Sequence, residues 1–98
     1  MNEEQARVAQ IHGAEAKQLL TNKTFKLAMD SIEDDARSRL TNTPTTMTSE
    51  IKDAVRVMQL VVGIKGAIQN IIDDGSMATQ YLSMIYETPE KKVINRGH

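Results

Sequence analysis

The sequence predicts an all-α protein, and three observations carry that prediction. Apolar residues recur every three or four positions through most of the 98 residues. Helix-capping residues stand where those runs begin. The one stretch rich in threonine and proline, "TNTPTTMT" at 41–48, falls between two of them.

The first helix is expected over about 3–21. Asn2 supplies an N-cap, and Gln5 stands three residues on, where a capping box wants Glu or Gln. Glu3 and Glu4 suit the positive end of the helix dipole. Val8, Ala9, His12, Gly13, Ala16, Leu19 and Leu20 share one face, and its small residues would let a neighbouring helix approach closely. A second helix, about 23–40, starts after the cap Asn22 and carries the stripe Phe25, Met29, Ile32, Ala36 and Leu40. Glu33 with Arg37 and Asp35 with Arg39 form i,i+4 pairs, so the acidic run at 33–35 reads as a solvated face rather than a metal or acid–base site.

The third helix is expected from Ser49 to Asp74, after Thr48 as cap. Ile51, Ala54, Met58, Val61, Lys65, Ile68 and Ile72 make one heptad seam with a single polar member, Lys65. Val57, Leu60, Ile64, Ala67 and Ile71 make a second seam beside it. A helix apolar on so much of its circumference must be covered on more than one side, by its own chain or by a partner. Gly75 is expected to end it in a left-handed turn, and Ser76 to cap a short fourth helix over about 77–86. The predicted architecture is a small helical bundle, with the long third helix packed on an antiparallel pair formed by the first two. Residues 1–88 form the helical domain and 89–98 a polar C-terminal tail.

"LVVGIKGAIQNII", residues 60–72, also invites comparison with the Gly-x-x-Gly clamp of K-homology domains. The aliphatic expected three residues after the second glycine falls on Gln69, with Ile68 one residue out of phase, and the surroundings read as helix rather than strand. Helix is therefore the reading adopted for Gly63 and Gly66. Two interior glycines are unfavourable by about 1 kcal/mol each relative to alanine, unless packing uses them.

Composition narrows the function. Hydrophobic residues make up 40% of the chain, yet there is one Phe, two Tyr and no Trp, so six Met and many Ala, Val and Ile must fill the core. A core of small side chains often needs a second chain to complete it, and oligomerisation is expected. Twelve basic and 13 acidic residues give a net charge of −1, without the basic excess of a dedicated nucleic-acid binder. Cysteine is absent, which removes disulfide and thiolate chemistry. The acidic start "MNEEQARVAQ" is unlike a signal peptide, and Gln59, Lys65, Gln69 and Asn70 interrupt the best apolar run, so no membrane partner is expected. His12 has no second ligand at metal spacing, and Asp73-Asp74-Gly75 lacks the alternating carboxylates of a calcium loop. No nucleophile–base set and no phosphate-binding loop can be assembled, so no catalytic residue, metal or cofactor is expected.

"AKQLLTNKTFKLAMDSIEDDA" (residues 16–36) and "AIQNIIDDGSMA" (residues 67–78) resemble, in that order, segments of small all-helical proteins of tailed bacteriophages, encoded near head and DNA-packaging genes. The resemblance covers about residues 16–82, and Lys23 stands where many such proteins have proline after the asparagine. It implies a viral origin, a role in assembly, and a location in the host cytoplasm or virion. It carries no functional residues over to this chain.

The function expected is that of a non-enzymatic structural or assembly protein acting through helix–helix contacts, by self-association or with another phage protein. Val57, Leu60, Ile64 and Ile71, with the Met77–Tyr81–Met84 edge, are the candidate contact residues. A DNA-packaging factor, similar in role to a small terminase subunit, is the alternative. It would place Lys52, Arg56, Lys91, Lys92 and Arg96 on phosphates. A small inhibitor of a host protein is the third reading.

Overall fold

In a computed structural model the residues described are 1–86, and all their regular structure is helical: α1 (Glu3–Thr21), α2 (Lys23–Asn42) and α3 (Thr48–Tyr86). No strand occurs among the described residues. The polar tail expected at 89–98 lies outside them.

The helix starts form as their sequences dictate. Asn2 Oδ1 accepts from the Gln5 backbone N–H at 2.8 Å, and Gln5 Oε1 accepts from the Asn2 N–H at 3.0 Å, a reciprocal capping box. Asn22, with extended backbone, accepts from Phe25 N–H at 2.9 Å and opens α2. α2 closes at Thr43, whose ψ of 130° is the extended conformation that Pro44 demands of the residue before it.

Two compact units result, Met1–Lys17 with Gln69–His98, and Gln18–Ile68, and α3 contributes to both. In the first unit α1 runs antiparallel to the later part of α3. Ala6, Ala78 and Leu82 form a buried cluster, with Ala9 and Tyr81 packed against it. Gln10 Nε2 donates to Thr79 Oγ1 at 2.9 Å. Gly13 and Gly75 face each other so closely that a Cβ on Gly13 would stand 3.0 Å from Gly75 Cα. In the second unit α2 runs antiparallel to the earlier part of α3. Ala36, Ala54, Val61 and Ile68 are buried there, and Phe25, Met29, Leu40, Ile51 and Met58 are half-buried.

One expectation needs correcting. The fourth helix does not exist as a separate element, because α3 continues without interruption through Gly75 and Ser76, and no glycine among the described residues has positive φ. The heptad seam explains why: it continues past Ile72 into Gly75, Thr79 and Leu82, so the glycine lies where α3 meets α1 and its missing Cβ admits a backbone. Within the first unit α1 packs on α3, within the second α2 does, and Asn22 is the single residue between α1 and α2.

The glycines therefore divide by role. Gly66 would meet nothing within 4 Å if given a Cβ, so Gly66→Ala is expected to raise unfolding free energy by about 1 kcal/mol through helix propensity alone. Gly75→Ala would press a methyl onto the Gly13 backbone, and a net loss on the order of 1 kcal/mol is expected despite the same propensity gain. Urea denaturation of the two variants, followed by circular dichroism, checks the opposite signs.

Candidate functional site

Apolar side chains are distributed unusually. The described core consists of Ala6, Ala16, Ala36, Ala54, Val61, Ile68, Ala78 and Leu82, five of them alanines. Fifteen large hydrophobic residues among the described ones are exposed. Isolated exposed apolar residues are ordinary, but a contiguous set on one helix face marks a surface for something else.

That set lies on α3 within the second unit. Leu60 is 65% exposed and Ile64 43%, and both line an open groove with Arg56, Gln59, Gly63 and Ala67. Every lining residue belongs to α3. The helix brings them together because 60, 63, 64 and 67 are i, i+3, i+4 and i+7 positions. They turn away from α2 because the first seam, Ala54, Val61 and Ile68, is the one α2 buries. Val62 is 66% exposed too, off both seams, and periodicity did not single it out.

The other expected contact residues go elsewhere. Val57 is half-buried and shares a groove with Ile32 and Ala36 of α2, so it belongs to the packing between α2 and α3. Tyr81 is half-buried against the Ala6–Ala78–Leu82 cluster, whereas Met77 and Met84 are exposed, the latter at 72%. Ile71 is exposed in the first unit. Of the expected phosphate contacts, Lys52 and Arg56 are exposed one turn apart on α3, and Lys91, Lys92 and Arg96 lie outside the described residues.

Charges elsewhere are organised along helix surfaces. Arg37 bonds to Glu33 at 2.9 Å and to Asp34 at 3.0 Å, and Arg39 to Asp35 at 3.0 Å, so the acidic run is met by its own helix. Exposed pairs of this kind contribute little individually. Lys65, the polar member of the first seam, sends Nζ to within 3.9 Å of Asp30 and 3.8 Å of Glu33 on α2. His12 is exposed rather than packed. No group of three or more His, Asp or Glu side chains among the described residues is placed to hold a metal ion.

At the start of α1, Arg7 pairs with Glu3 at 3.1 Å, and its guanidinium lies 5.9 Å from the centre of the Tyr86 ring. The Tyr86 hydroxyl, then Arg7, hold the Glu3 carboxyl below the usual range by hydrogen bonding to its charged form. Glu3 in turn raises Arg7.

α3 also contains an 18-residue stretch long and apolar enough to cross a membrane by length and composition, with 11% of it buried. Its valines and isoleucines outweigh Arg56, Lys65 and a few amides. No protein-family model, curated protein or solved structure matches the chain.

The clasp at Glu3 gives a pH-dependent outcome. A carboxyl held below its unfolded value stabilises the folded state at neutral pH, and that contribution disappears as pH falls through the lowered value. Tyr86→Phe keeps the ring but removes the hydroxyl, so the Glu3 pKa is expected to rise toward the ordinary glutamate value. An NMR titration of the Glu3 side chain in both proteins measures it; an unchanged pKa would exclude the hydroxyl as the main cause.

Proposed function

We propose that this chain is a non-enzymatic assembly protein that acts by helix–helix contact, and that it self-associates through the bare face of α3. The observation that carries the reading is the Leu60–Ile64 groove, apolar, open and lined by one helix, in a protein whose own core is mostly alanine. Burying a large aliphatic side chain is favourable by roughly 1.5–3 kcal/mol, so covering Leu60 and Ile64 is a substantial driving force for association. The segments at 16–36 and 67–78 add the phage-assembly context through their resemblance to small tailed-phage proteins, and with it a place in the host cytoplasm or the virion.

Lipid is the other medium that could cover an apolar helix, and the charges on α2 argue against it. α2 lies along the same part of α3 and carries Asp30, Glu33, Asp34, Asp35, Arg37 and Arg39. Each such group at the centre of a bilayer is unfavourable by roughly 2.5–3.5 kcal/mol even on the mildest scales. Protein is the covering that α2 tolerates.

Light scattering during size-exclusion chromatography is the direct test. The wild-type chain is expected to run as a defined oligomer. Leu60→Glu with Ile64→Glu should run as a monomer with unchanged helical circular dichroism, because both side chains already face solvent within one chain. A wild-type monomer at high concentration, or an oligomer indifferent to both substitutions, would remove this face from the function.

A further inference from the structure

We propose that α1 is a detachable strap: over Glu3–Lys17 it lifts off the later part of α3 as a unit, while α2 and the earlier part of α3 stay packed on each other. Lifting does not depend on what covers Leu60 and Ile64.

What holds the strap is small. In this segment Ala6, Gly13 and Ala16 are buried, Ala9 and Gln10 are half-buried, and the larger apolar side chains Val8 and Ile11 face solvent. In the second unit α2 has Phe25, Met29 and Leu40 half-buried beside the buried Ala36. Burial is favourable roughly in proportion to the apolar area removed from water, so a methyl group secures much less than a phenyl ring or a leucine side chain. Polar contacts do not make up the difference. The bond from Gln10 to Thr79 and the pair of Arg7 with Glu3 are exposed, and water replaces such contacts at little net loss when a helix lifts. The Tyr86 ring that Arg7 approaches is exposed as well, where the attraction of a cation to an aromatic face is weak.

The glycines make the contact all-or-none. A Cβ on Gly13 would stand 3.0 Å from Gly75 Cα and 3.3 Å from the Ile71 carbonyl oxygen, and one on Gly75 would stand 3.1 Å from the Ala9 carbonyl oxygen. Backbone seated on backbone has no flexible side chain to follow a partial shift, and dispersion attraction falls steeply once the surfaces part. The strap therefore leaves as a unit rather than by sliding. Once free, so short a segment holds a helix poorly in water, and Gly13 weakens it further, so release is favoured by chain entropy. Lifting uncovers Ala78 and Leu82 beside the exposed Met77 and Met84, which widens the apolar edge at this end of α3.

Native-state hydrogen exchange of the 98-residue chain, read by NMR in urea below the unfolding transition, tests the strap. Backbone amides of residues 7–17 are expected to be less protected than those within α2 by on the order of tenfold or more, with a shallower urea dependence because less surface opens. Val61→Ala is the decisive variant. It removes packing that the lifted state keeps, so protection in α2 should fall by on the order of tenfold while protection in α1 stays as in the wild type. Ile51→Val, a smaller change at a half-buried position, makes the same comparison if Val61→Ala does not fold. Amides of α1 as protected as those of α2, or a loss by the same factor in both helices of the variant, would show a single cooperative unit and overturn the strap.

Discussion

A constraint of supply governs this protein: α3 carries two apolar seams, and the rest of the described chain can cover little more than one. α1 meets it with Ala6, Ala9 and Gly13, and α2 with one buried alanine and a few half-buried larger residues. The remaining faces of both outer helices mix charged and polar residues with exposed apolar ones such as Ile11 and Leu27. The first seam therefore becomes the core and the second stays in contact with solvent at Leu60 and Ile64. Adding apolar residues to α2 would not relieve this, because a straight helix packed against one seam cannot also reach round to the other.

Small side chains are the means by which so thin a core holds at all. Dispersion attraction falls steeply with distance, so helices that lack large residues must approach closely to gain it. The facing glycines at 13 and 75 let α1 and α3 do this, and the alanines at 6 and 78 extend the same close contact. Such a contact tolerates almost no added volume, since the atoms that would be displaced are backbone. Gly63 and Gly66 lie in the same helix and share none of this, having open space where a side chain would be. Residue type alone says nothing about which role a glycine has; its phase relative to the buried seam does.

Much of this was legible in the sequence because it is local. The capping box at Asn2 and Gln5, the cap at Asn22, the Glu33–Arg37 and Asp35–Arg39 pairs and the stripe on α2 depend on neighbours within one or two turns. The small-residue face of α1 was legible as well, although periodicity ranked Val8 and His12 with it and both are exposed. What escaped depends on distant residues. Gly75 looks like a helix terminator until Gly13 is known to lie against it. Val57 and Tyr81 look like free edges until α2 and α1 occupy their sides. The seam itself held the missing signal, since Gly75, Thr79 and Leu82 continue its spacing and a helix seldom ends where its pattern does not.

A single lysine stands in the seam that α2 covers. Lys65 is the polar member of the seam that α2 buries, a position where aliphatic residues otherwise stand. Its amine reaches Asp30 and Glu33 only at 3.8–3.9 Å and remains part-exposed, so the pairing contributes little stability. Its effect is on choice. Had α2 packed on the Leu60–Ile64 side instead, its carboxylates would have faced an apolar groove and Lys65 would have lost both of its partners. Charge that is nearly neutral for stability can still discriminate between two packings of similar apolar area, because the wrong one leaves it unpaired. The same lysine that looks like a blemish in the heptad pattern thus has its carboxylate partners on the side where α2 packs, while Leu60 and Ile64 stay exposed on the other.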